Sequence, residues 1–100
     1  MTSRDRWTVE GALAAFDEHL RRTRGVCVGT RRNYVRFVRA FLQTVFAEGA
    51  VEVAQLGARD VVGFVAGLPG RYQPRTVELA ASALRSFVRF LRAEGLCVER

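Results

Sequence analysis

Residues 39–49 read RAFLQTVFAEG, and residues 85–95 read RSFVRFLRAEG. The two stretches lie 46 positions apart, and most of their aligned residues are identical or closely similar. Each places apolar side chains three and four positions apart, the spacing of one helical face, and each ends on a glycine, a residue that stops helices. At the same offset Thr30 matches Thr76, near where each helix should begin. The pattern predicts two amphipathic helices in the same phase and an internal pseudo-repeat of two helical hairpins.

Outward from this pair the rest of the chain falls into place. The earlier helix is predicted over residues 28–48, with Tyr34, Val35, Val38, Phe41, Leu42 and Val45 facing inward and Arg32, Arg36, Arg39 and Gln43 opposite. The later helix is predicted over residues 74–94 and opens with Pro74, which suits a first turn. Val77, Ala80, Ala81, Leu84, Phe87, Val88 and Leu91 form its buried stripe. Arg75, Glu78, Ser82, Arg85, Arg89 and Arg92 form its polar one. Thr8 reads as the N-cap of a first helix over residues 8–24, with Val9, Ala12, Leu13, Phe16 and Leu20 inward and Gly25 as its stop. Residues 51–56 read as an extended link. A short helix over residues 58–68 should bury Val61, Val62, Phe64 and Val65, and Leu68-Pro69-Gly70 marks a turn. No segment alternates long enough to form a strand. The expected fold is all-α, four helices in two hairpins.

Composition narrows the function. One hundred residues with 49% hydrophobic content support a single domain with one modest core. The net charge of +6 and pI near 10.9 call for a polyanionic partner, either nucleic acid or an anionic membrane surface. All sixteen basic residues are arginine. The abundant Ala, Gly and Val point to a GC-rich coding sequence, so the missing lysine carries no functional meaning. Cys27 and Cys97 lie far apart without His or Cys at ligand spacing, so neither a metal site nor a cofactor is expected. No run approaches the roughly 18 apolar residues of a membrane span, and the N-terminus lacks a signal-peptide core. A cytoplasmic protein with reduced thiols is expected.

The charge is concentrated. Residues 21–39 hold seven Arg and no acid, and residues 71–92 hold five Arg and only Glu78. Residues 40–70 hold one Arg and three acids. The positive field therefore follows the second and fourth helices and the loops leading into them. Helix N-termini carry partial positive charge and free N–H groups, which suit phosphate. Arginines on the polar face beyond the first turn could then reach base edges in a major groove. Arg31, Arg32, Arg36, Arg39, Arg75, Ser82 and Arg85 are the candidate DNA contacts from this arrangement. Six arginines on phosphates would give a log–log salt slope of about −5.

Three stretches carry a family likeness: VGTRRNYVRFVRAFLQTVFAEGAV from Val28, QLGARDVVGFV from Gln55, and QPRTVELAASALRSFVRFLRAEGL from Gln73. The chain resembles the core-binding, SAM-like domain at the N-terminal side of tyrosine recombinases, the phage integrase family, over residues 8–97. The resemblance implies a four-helix SAM-like bundle that closes one half of a clamp around double-stranded DNA. It implies contacts from Thr30, Arg32, Asn33 and Arg36 on the second helix, and from Arg71, Gln73, Arg75 and the exposed side of the fourth. Leu79 and Ala83 fall near that side, where thymine methyls could be met, although Leu79 is expected to pack into the core instead. The second helix departs from the family in having Cys27-Val28 where Ser-Pro is usual.

The resemblance also implies that catalysis belongs elsewhere. Family enzymes cut DNA with a tyrosine supported by arginines in a second domain. Residues 98–100 are then expected to begin a linker to that domain, and residues 1–7 to be a flexible lead, with no catalytic residue in this chain. His19-Leu20-Arg21-Arg22 only superficially matches the His-x-x-Arg of that active site, since it lies within the first helix. Tyr34 lies on an apolar face, and neither it nor Tyr72 sits in a segment suited to a nucleophile. Other recombinase protomers on DNA are the expected protein partners, and no membrane or small-molecule ligand is expected. The competing reading is a helical protein-interaction domain without DNA contact, using exposed apolar residues such as Phe46 or Phe90.

Overall fold

The structure is a computed structural model and describes residues 6–23, 25–46, 51–52 and 55–95. In chain order it holds β1 (Arg6–Trp7), α1 (Val9–Arg22), α2 (Val28–Phe46), β2 (Val51–Glu52), α3 (Ala58–Ala66) and α4 (Pro74–Ala93). Arg24, residues 47–50 with the expected Gly49 stop, residues 1–5, Cys97 and residues 98–100 lie outside the described residues. The chain forms the expected all-α bundle of four helices.

The helix boundaries follow local chemistry. The Thr8 hydroxyl accepts the Gly11 N–H at 2.9 Å and caps α1. Glu10 lies in the first turn of α1 and His19, Arg21 and Arg22 in its last, matching the helix dipole at both ends. Asp60 anchors α3 by accepting the Gly57 N–H at 3.0 Å. Pro74 opens α4 because its missing N–H would have had no helical partner. Gly95 directly follows Glu94, the C-cap of α4, with φ of +79°, a left-handed conformation that ends a helix and that side chains with a Cβ resist. α1 instead ends at Thr23, whose extended backbone breaks the helix two residues before the expected stop, Gly25.

The core joins α1, α2 and α4. Ala12, Leu13, Phe16 and Leu20 meet Phe37, Val38, Phe41 and Leu42, and both sets meet Ala80, Ala83, Leu84, Phe87, Phe90 and Leu91. Phe16 packs edge-on against Phe87, with ring centroids 5.2 Å apart, and lies 5.7 Å from Phe90. Each such ring contributes on the order of 1.5–3 kcal/mol by leaving water. Among the described residues no polar or charged side chain is buried.

The structure alters four sequence expectations. Val62 is 65% exposed, because α3 turns Val61, Phe64 and Val65, with Leu68 beyond its end, toward the bundle and leaves Val62 outside that arc. Ala83 and Phe90 are buried on a second apolar line of α4 running through Ala80, Ala83, Phe87 and Phe90. Phe90 therefore offers no docking surface, and Ala83 cannot touch a thymine. Phe46 is half-buried. Phe37, absent from the expected inner face, is buried with Tyr34 and Phe41 one turn either side. Finally, Arg6 and Trp7 pair antiparallel with Glu52 and Val51, so the end of the expected flexible lead is tied to the expected link. A two-residue ladder is too short to leave any alternation in sequence.

Candidate nucleic-acid interface

The α3–α4 connection brings the two basic segments together. Leu68 is buried, and its carbonyl accepts the N–H groups of Arg71 and Tyr72 at 3.0 and 3.1 Å. This tight loop holds Tyr72 against α2, with its ring 6.4 Å from that of Phe37 in an edge-on arrangement. The Arg36 guanidinium lies over the Phe37 ring at 4.6 Å, and that of Arg71 lies 5.8 Å from the Tyr72 ring centre. Arg36, Phe37, Tyr72 and Arg71 thus form a continuous cation–aromatic seam between α2 and the start of α4. Such contacts orient guanidinium groups while leaving their N–H donors available.

Gln73 and Arg75 extend this seam. Gln73 occupies the N-cap position of α4 with extended backbone angles but makes no side-chain capping bond. The N–H groups of Arg75 and Thr76 in that first turn are therefore left uncapped, beside the exposed Arg71 and Arg75 side chains. Ser82 and Arg85 lie farther along the outer face of α4, where Arg85 donates to the Ser82 hydroxyl at 3.1 Å. About 15 Å of helix separates Arg75 from Arg85.

The arginines expected in one row divide into two groups. Arg31 donates to Asp17 at 2.9 Å and Arg39 donates to Glu10, and both bonds tie α2 to α1. Arg21 and Arg22 both bind Glu18, at 2.7 and 2.8 Å. The hydrogen bond from Arg21, supported by that from Arg22, holds the Glu18 carboxyl at about 2, well below its usual range. Arg32, Arg36, Arg71, Arg75 and Arg85 make no ion pair among the described residues. Among the described residues, arginines without ion pairs thus include Arg32 and Arg36 on α2, Arg71 in the loop, Arg75 and Arg85 on α4, and Arg59 on α3.

Cys27 and Thr30 meet at the start of α2. The Cys27 carbonyl accepts the Arg31 N–H at 2.9 Å, which makes Cys27 the residue preceding the helix. Its thiol lies 3.3 Å from the Thr30 hydroxyl. Hydrogen bonding from the Thr30 side chain, then from backbone amides of the first turn, pulls the thiol below its ordinary pKa. Thr30 is thus engaged locally, and Asn33 is half-buried one turn later. Tyr72 and Phe37 were the residues sequence reading missed at this site. The one available signal was an aromatic residue beside an arginine in each segment, Arg36-Phe37 and Arg71-Tyr72.

The fold is a compact helical bundle in which Arg36, Phe37, Tyr72 and Arg71 form one cation–aromatic seam. The model of the phage integrase N-terminal SAM-like domain matches residues 13–95, and the chain belongs to that family. It is 38% identical over 87 residues to a protein named as an integrase/recombinase, y4rA, of Sinorhizobium fredii (strain NBRC 101917 / NGR234). That match covers 87% of this chain and 21% of the relative, so the chain spans about one fifth of the relative's length. No solved structure is a significant match. Among the described residues, no helix is long and apolar enough to cross a membrane, and no group of three His, Cys, Asp or Glu could hold a metal ion.

Proposed function

We propose that this chain is the DNA-binding domain of a site-specific tyrosine recombinase and that it grips duplex DNA through α2 and the start of α4. The observation that carries the reading is the Arg36–Phe37–Tyr72–Arg71 seam, which joins two basic segments and whose arginines make no ion pair among the described residues. Arg32, Arg36, Arg71 and Arg75 are the main phosphate contacts. The uncapped first turn of α4 adds backbone donors, and Gln73 is the main candidate for a base edge, with Asn33 and Thr30 as secondary contacts. Ser82 and Arg85 extend the grip along the next part of the backbone. Arg31 and Arg39 act chiefly by holding α1 against α2.

Strand cleavage belongs to a tyrosine in a second domain of the parent enzyme. This chain, with residues 8–97 as its binding unit, supplies grip and part of the site preference. Other protomers on the same DNA are its protein partners, and the role places it in the cytoplasm.

The test is chemical-shift mapping of the chain with random-sequence duplex at low salt, combined with a salt titration of affinity. Shifts clustered over residues 29–39 and 71–85 are expected. Five phosphate contacts at about −0.9 each predict a log–log slope near −4.5. Shifts confined to α1 and α3 would overturn the assignment.

A further inference from the structure

A cleft of about 310 Å³ opens beside the seam, between α2 and the α3–α4 connection. The less exposed residues lining it are Phe37, Phe64 and Leu68, which makes its floor apolar and largely aromatic. The exposed ones, Ala40, Gln43, Thr44, Arg71 and Tyr72, form its rim. No acidic residue lines it, and Arg36 and Arg71 flank it without ion pairs among the described residues. Phe41 and Phe64 meet edge-on behind the floor, with ring centroids 5.6 Å apart, so this wall is built into the core.

We infer that this cleft reads the C5-methyl edge of a thymine in the major groove. The inference rests on the DNA-binding reading above and names what its central surface recognises. Charge selects the occupant. With Arg71 on its rim and Arg36 over the Phe37 ring that floors it, the cleft lies beside cations suited to phosphate, so the uncharged group presented to it is a base edge. In the major groove the one apolar feature that a base displays is the thymine methyl, and aromatic side chains are suited to contact it. Gln43 on the rim matches the donor and acceptor pattern of adenine, whose partner is thymine. Phosphate-binding arginines bring affinity without sequence information, so this cleft is where preference for A·T pairs would arise.

The experiment removes the methyl and nothing else. Duplexes bound best by the full chain are selected from a random pool, and each thymine is then replaced singly by deoxyuridine. Base pairing and charge are unchanged. One or two positions should lose about fourfold in affinity on losing the methyl, the value for one apolar carbon group leaving its contact. Ala40→Leu, an exposed helical substitution that fills the cleft mouth, should remove that difference, with far-UV circular dichroism confirming the helices. Tyr72→Ala should also weaken the discrimination. If the selected duplexes bind with the steep salt slope yet every deoxyuridine duplex matches its parent, the cleft assignment fails and DNA binding stands. The assignment fails equally if no sequence preference emerges from selection. Loss of all duplex binding, at low salt as well, would instead remove the DNA-binding reading beneath it.

Discussion

Replacing Arg71 and replacing Arg39 separates an open cation from one already paired with an acid on the neighbouring helix. Arg71 stacks near Tyr72 and carries no ion pair among the described residues, whereas Arg39 is bonded to Glu10 across the α1–α2 interface. Each phosphate contact contributes about 0.9 to the log–log salt slope. With five contacts, raising salt from about 50 to 200 mM should weaken binding about 500-fold. Arg71→Ala should reduce the slope from about −4.5 to about −3.6, so the same change in salt weakens the variant only about 150-fold. Arg39→Ala should leave the slope unchanged and cost about 0.2–1 kcal/mol of stability, the range of exposed ion pairs. Fluorescence anisotropy with a labelled random duplex gives the slopes, and urea denaturation gives the stabilities. Equal losses of slope in the two variants would refute the division of the arginines into free and bound sets. So would a loss confined to Arg39→Ala.

Three further outcomes test the fold. Phe87→Ala removes a ring packed against Phe16 and Phe90, and should cost about 3–5 kcal/mol in urea denaturation; a loss below about 1 kcal/mol would place this cluster outside the stabilising core. Thr8→Ala deletes the cap of α1 and should cost about 1 kcal/mol, with Thr8→Ser restoring most of it. Glu18 has a depressed folded-state pKa, so its contribution is present above the unfolded value of about 4.5 and is lost as pH falls toward about 2. Thermal melting of Glu18→Gln should therefore match the parent more closely at pH 2 than at pH 6, and a constant difference across that window would contradict the pairing.

Much of this architecture was legible in sequence. Thr8, Pro74 and Gly95 act on their own turns, so the boundaries they set could be read without knowing what packs nearby. The shared phase of α2 and α4 followed from spacings of three and four, which depend only on helical geometry. The basic loop before α4 was equally visible. Sequence reading went wrong where two faces of one helix compete for the core. Ala83 and Phe90 lie on a line that becomes interior only because α1 supplies Phe16 to meet it. The same limit applies to Val62, since a short helix touching the bundle along one edge leaves a neighbouring apolar position in water.

By itself, the sequence determined four amphipathic helices, the common phase of α2 and α4, the stop of α4 at Gly95 and a cationic bias on two of the helices, because each is a property of neighbouring residues. The tertiary structure decided which cations remain open. Arg31 and Arg39 find their acids 14 and 29 positions away, on a helix whose placement no local pattern encodes. It also decided that Tyr72 lies against Phe37, so that two arginines 35 residues apart in the chain share one surface. Charge counted along a chain becomes a binding face only after folding has paired some of it and packed the remainder side by side.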